Sequence, residues 1–186
     1  MEIFLVRHTT LLNTEGICYG ASDLEVASTF SAEAKVTFSK IPPEKKYRVF
    51  ASPLSRCVNL ASYYSNDFTR DERLKELNFG SWELKKWSDL EPDSLDKWMK
   101  DFVNQPCPDG ESFLQLQERM VDFWEDIIIG GSQDTIIVSH GGPIRAILCH
   151  LLEIPMKNAF NLHLDFGGVS RVEINQQRLR VSYINR

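Results

Sequence analysis

Short apolar runs, Ile3 to Val6 within 2–6, Val49-Phe50 within 47–51 and Ile136 to Val138 within 135–139, have the pattern of strands in a mainly parallel sheet, the first continuous enough to be buried on both faces. Two later runs, 169–174 and 179–184, alternate instead, which predicts an antiparallel hairpin at a sheet edge, joined at 175–178. Helical patterns lie between the strands. Ser31 is placed to cap a helix reaching about Lys40, with Glu33 in its first turn, where the helix dipole favours negative charge, and Pro42-Pro43 ends it. Ser52-Pro53 predicts a second helix start, Ser at the N-cap and Pro at the first helical position, with the helix running to about Tyr64. Ser112 and Gln115 form a capping box ahead of a long helix that aligns Phe113, Leu116, Met120, Phe123 and Ile127, and Gly130-Gly131 stops it. Gly141-Gly142-Pro143 then opens a helix through Leu152. Strands alternating with helices predict an α/β fold with a mostly parallel central sheet.

The stretch 81–111 breaks this alternation. It carries Trp82, Trp87 and Trp98, many charges and three prolines, and reads as short helices in a lid-like excursion over the sheet. The whole chain of 186 residues fits a single domain, 1–186. Its net charge of −5 and pI near 5.4 oppose binding to nucleic acid, whose affinity comes from many Lys and Arg contacts. Cys18, Cys57, Cys107 and Cys149 are far apart, without the spacing of a zinc site or a secreted disulfide framework, and read as reduced thiols. The apolar start meets Arg7 too soon for a signal segment or a membrane span. A cytoplasmic protein with no membrane association is expected.

The chemistry collects where strands end. The first runs into Arg7-His8, the second into Ser52-Pro53 and then Arg56, and the third into Ser139-His140 followed by Gly141. In open α/β sheets ligands gather outside the carboxyl ends of the strands, so these residues should share one pocket, with both helix starts pointing free N–H groups into it. A lone histidine is most simply a satisfied structural residue, but two at equivalent strand ends weigh against that reading. Two guanidiniums beside them would repel a dication, and no metal-binding pattern supplies further ligands. The same groups suit a phosphate dianion, which arginine holds in bidentate fashion. Ser139 lies outside the GxSxG pattern of a serine hydrolase.

A caged phosphoryl group allows histidine to act as a covalent nucleophile, and a carboxylic acid must then protonate the leaving alkoxide. Glu76 stands out because Leu77, Phe79, Gly80 and Trp82 are its neighbours, an apolar setting that raises a carboxyl pKa. Spacing alone does not select it over Glu83.

Five stretches in order resemble the histidine phosphatase superfamily, in its phosphoglycerate mutase-like branch: Arg7-His8-Thr9, Ser52 to Arg56, Glu76 to Glu83, Pro108 to Ser112, and Ser139-His140-Gly141-Gly142. The resemblance implies a three-layer α/β/α sandwich. It also implies that His8 becomes phosphohistidine, that Arg7, Arg56 and His140 hold the phosphoryl oxygens, and that Glu76 donates the proton and then activates water. No metal or organic cofactor is implied, and the partner is a small-molecule phosphate ester. Within the superfamily, Arg7-His8-Thr9 followed by Cys18-Tyr19-Gly20, Asp23, Ser28 and Phe30 resembles the α-ribazole phosphatases of cobalamin assembly. An aromatic nucleoside would suit Tyr19, Trp82 or Trp87, although these could equally pack the lid. Thr9 replaces the glycine of the commoner Arg-His-Gly form, and Asn13 stands one residue early; Thr9 or Thr10 could supply a hydroxyl to phosphate instead. Arg145, His150 and His163 read as surface or packing residues. The remaining alternatives are a phosphoglycerate mutase, a broad-specificity sugar or nucleotide phosphatase, and an inactive phosphate-binding module. A monomer or a homodimer fits equally.

Overall fold

The burial of alternate strand residues on opposite faces organises the structure, a computed structural model that describes residues 1–175 and 178–186. The strands are β1 (Glu2–Arg7), β2 (Arg48–Ala51), β3 (Thr69–Arg70), β4 (Thr135–Ser139), β5 (Val169–Asn175) and β6 (Arg178–Tyr183). They form one sheet in the order β3-β2-β4-β1-β5-β6, with β5 antiparallel to β1 and to β6 and the other pairs parallel. On one face Ile3, Leu5 and Ile137 pack with the helices α4 (Phe113–Ile129) and α5 (Gly141–Leu151). On the other, Phe4, Val6, Ile136 and Val138 meet residues of α1 (Phe30–Phe38) and α2 (Ser55–Tyr64). Both faces of the central strands are therefore dry, which explains their continuous apolar character. The fold is the expected three-layer α/β/α sandwich.

The hairpin lies at the sheet edge as its alternation indicated; of its expected connection at 175–178, residues 176–177 lie outside the described residues. The capping box at Ser112 and Gln115 closes in both directions. Two helix starts differ from expectation. The first helix begins at Phe30 and ends at Phe38, because Thr29 rather than Ser31 stands at its N-cap. Glu33 accepts hydrogen bonds from the Thr29 hydroxyl and the Thr10 N–H, tying this helix to the loop after β1. The second begins at Ser55 with Leu54 at its N-cap, not at Ser52-Pro53. Ser52 is fully buried and its hydroxyl is engaged by His140. Strand β3, two residues long, has no counterpart in the sequence reading.

The segment 81–111 contains a tight turn at Trp87–Asp89 and the helix α3 (Pro92–Lys100). Trp82 and Trp98 are buried in an edge-to-face pair with ring centroids 5.8 Å apart, and Leu90 and Cys107 join them in the core on the α4 side. Much of this segment is thus a wall of the core.

Candidate active site

Strand register brings the site together. In the sheet β2, β4 and β1 are adjacent, with Arg7 opposite Ser139 and Ala51 opposite Val138. The ladder continues one step beyond the strands, where the N–H of His8 donates to the Ser139 carbonyl and that of Ser52 to the Val138 carbonyl, each at 3.0 Å. His8 and His140 consequently lie with ring centroids 5.1 Å apart, both buried.

The two rings are held in opposite tautomers. His8 Nδ1 is 2.8 Å from the Thr9 carbonyl; a carbonyl can only accept, so Nδ1 carries the proton and Nε2 holds the lone pair. His140 Nδ1 accepts from Arg56 Nε at 3.1 Å, so its proton is on Nε2, which donates to the Ser52 hydroxyl at 2.8 Å. Burial, then the charges of Arg56 and Arg7, hold the His8 pKa well below its ordinary value of 6.5, against a smaller opposing effect of the Thr9 carbonyl. Burial and Arg56 act on His140 in the same direction. Both imidazoles are neutral at neutral pH.

A cleft of about 160 Å³ opens over His8, lined also by Arg7, Tyr19, Glu76, Arg145 and Phe160. The Arg7 guanidinium carbon is 4.0 Å from the centre of the Phe166 ring, and its Nη1 donates to the Leu164 carbonyl. Arg56 and His140 lie behind this surface, fully buried. Arg56 donates to the Gly20 and Ser22 carbonyls, at 2.5 and 2.7 Å, besides His140.

Glu76 is not in the apolar setting expected for it. Leu77 and Phe79 do line the cleft beside it, but its carboxylate accepts from the N–H of Gly142 at 3.1 Å and of Leu77 at 3.0 Å. The start of α5 thus meets a carboxylate, as helix N-termini favour. At α2 the expected free N–H is likewise taken, since Ser55 donates to the Asp23 carboxylate at 2.7 Å. Glu83 is separated from Glu76 in role: it accepts from the N–H groups of Gly20, Ala21, Ser22 and Phe79 and does not line the cleft. It holds the loop whose carbonyls grip Arg56. Gly20 is required there, because a Cβ at that position would stand 1.8 Å from the Leu77 carbonyl oxygen.

The other expected residues are dispersed. Gly141 lines the cleft; Thr9 is buried with its hydroxyl unpartnered among the described residues. Asn13 is exposed at φ 54°, and the Thr10 N–H belongs to Glu33. Trp82 is in the core, away from the cleft, and Trp87 is also absent from its lining. Arg145, read from sequence as structural, is in the cleft instead. The available signal was helical spacing: four residues after Gly141, it shares that residue's face of α5. Among the described residues no group of three His, Cys, Asp or Glu is placed to hold a metal, and no helix is long and apolar enough to cross a membrane.

A family model described as the histidine phosphatase superfamily (branch 1) matches residues 3–186. The chain belongs to that superfamily. Among relatives of this histidine phosphatase superfamily member, a Hydrogenobacter thermophilus protein named "Putative phosphoserine phosphatase 2" is 30% identical, over 100% of this chain and 95% of the relative. The α-ribazole phosphatase from Shigella flexneri has a similar structure, with TM-score 0.90 and 22% identity over 100% of this chain and 96% of that one. A mutant phosphoserine phosphatase from Entamoeba histolytica, in complex with phosphoserine, gives TM-score 0.84 and 21% identity over 99% and 96%. These two structures share the fold of this superfamily member.

Proposed function

We propose that the protein is a phosphomonoesterase that hydrolyses a small-molecule phosphate through a phosphohistidine at His8. What carries the reading is the state of His8: neutral, fixed by the Thr9 carbonyl so that the lone pair is on Nε2, and in the same cleft as Arg7 and Glu76. Nε2 attacks phosphorus while the bond to the alcohol oxygen breaks. Arg7 meets the charge that develops on the phosphoryl oxygens, and Arg56 and His140 close the cage from behind. Protonated Glu76 delivers its proton to the departing oxygen. The resulting carboxylate takes a proton from water, which attacks phosphorus and breaks the P–N bond, releasing phosphate and neutral His8.

The leaving group has two candidates. α-Ribazole 5′-phosphate, in cobalamin nucleotide-loop assembly, follows from the resemblance at Arg7 to Phe30 and would stack on Tyr19. Phosphoserine, the substrate in the name of the 30% identical relative, is favoured by one specific observation: Arg145 is in the cleft. A cytoplasmic enzyme, monomeric or homodimeric, with neither nucleic acid nor membrane as partner, fits both.

Ranking α-ribazole phosphate, phosphoserine, phosphoglycerates, sugar phosphates and nucleotides by kcat/KM tests the assignment. An acid-labile phosphate should be trapped on the wild type and lost, together with hydrolysis, in His8→Ala. Unchanged aryl phosphate hydrolysis by that variant would refute the mechanism. Vigorous phosphoglycerate interconversion with a bisphosphoglycerate primer would make the protein a mutase.

A further inference from the structure

Arg145 is one helical turn beyond Gly141 and Gly142, on the same face of α5 and further from the strand ends. Its Nε donates to the Leu162 carbonyl at 3.0 Å, and its guanidinium carbon is 5.3 Å from the centre of the Phe160 ring, itself part of the cleft. These two contacts fix the group's direction. Neither Nη has a protein acceptor among the described residues, so two nitrogens remain for a ligand. Nη1 lies close over Gly141, 2.7 Å from where a Cβ on that residue would stand.

Charge in the cleft points the same way. Arg7 and Arg145 are near enough that Arg7, after burial, lowers the Arg145 pKa, and Glu76 opposes this. A guanidinium still keeps its proton. Glu76 is occupied by the N–H groups of Gly142 and Leu77, and Arg145 forms no salt bridge among the described residues, so it is a cleft cation without a directly paired carboxylate. In the proposed reaction Arg7 takes the phosphoryl oxygens and Glu76 the bridging oxygen, which leaves Arg145, in the same cleft, for the alcohol portion of a substrate. The volume, about 160 Å³, is below the 300–1,000 Å³ typical of sites for drug-sized ligands. It suits a short alcohol better than a nucleoside.

We propose that Arg145 binds a carboxylate on the alcohol portion of the substrate, which makes the substrate class the small phosphorylated hydroxy acids and hydroxy amino acids. This rests on the phosphohistidine reading for the chemistry, though not for the binding.

The experiment compares phosphoserine, which carries the carboxylate, with phenyl phosphate, which does not. In Arg145→Gln the ratio of kcat/KM for phosphoserine over phenyl phosphate should fall about 10- to 100-fold, the scale of one lost hydrogen-bonded contact to a charged group. The loss should appear in KM, with Arg145→Lys recovering part of it. A ratio within about threefold of wild type, whether both substrates are retained or both decline together, would overturn the proposal; that margin is well below one hydrogen bond to a charged group. Calorimetric binding of the same ligands to His8→Ala and to His8→Ala/Arg145→Gln measures the preference without turnover. A carboxylate preference that disappears with Arg145, found for a protein whose wild type hydrolyses none of these esters, would defeat the phosphohistidine reading and leave the carboxylate site standing. Hydrolysis with no such preference would do the reverse.

Discussion

Glu76 is held from below by a residue of α4, and replacing that residue should damage stability and catalysis together. Arg119 Nη1 donates to the carbonyls of Arg73 and Lys75 at 2.6 and 2.7 Å, and Nη2 to that of Glu76 at 3.1 Å. It also grips Glu111 with Nε and Nη2, and Glu111 in turn accepts from the Asn78 N–H. The two side chains are only 20% and 18% exposed. Arg119→Met keeps an unbranched apolar stem but removes the donor of three carbonyls and leaves the Glu111 carboxylate only the Asn78 N–H. Charge-assisted hydrogen bonds contribute about 1.5–3 kcal/mol each, and breaking a buried pair costs about 3–5 kcal/mol. Partial exposure lets water replace some of the lost contacts, so a total loss of about 3 kcal/mol is expected rather than the sum. For a chain of this size that lowers Tm by roughly 6–12 °C. Thermal unfolding followed by circular dichroism reads the first effect. The second is a larger fall in kcat on an alkyl phosphate than on an activated aryl phosphate, because a loosened Glu76 is missed most when the leaving group needs its proton. A loss below about 1 kcal/mol, with leaving-group dependence unchanged, would refute the idea that Arg119 positions the acid, since surface substitutions alone reach about half of that.

Glu76→Gln removes the proposed proton donor itself and should depress alkyl phosphate turnover far more than turnover of an activated aryl phosphate; equal losses would assign the acid to another group. pH should act on stability through His8 and His140. Both have native pKa values held well below 6.5, so the unfolded chain takes up protons that the native state refuses. Their contribution is complete above the ordinary histidine pKa and is lost as pH falls from there through the native values. Urea midpoints measured downward from pH 7 should therefore decline more steeply in the wild type than in His8→Gln.

Legibility followed the range of the interactions. Strands β1 and β4 and the capping box at Ser112 and Gln115 were readable because burial on two faces and a reciprocal cap leave local marks. Ser52 misled for the opposite reason: its local pattern is that of an N-cap, but a histidine 88 residues away takes the hydroxyl. Glu76 and Glu83 could not be separated by spacing, since what divides them is which backbone N–H groups reach each carboxylate. Arg145 was missed because it becomes a cleft residue only when Leu162 and Phe160 converge on it. Trp82 looked available for stacking because exposure is a tertiary property, and Trp98 buries it.

The register of β1 against β4 has a consequence for how this molecule can change. His8 and His140 stand opposite each other, each one residue beyond its strand in a buried parallel pair, so their separation is set by the register of the sheet. Arg145 and Phe160, which also line the cleft, are on α5 and on the segment before β5. On the proposed function, substitutions there should alter which molecule is accepted while the His8–His140 separation stays constant. On that reading the fold is a fixed reaction centre with an exchangeable socket, and replacing the socket does not require rebuilding the centre.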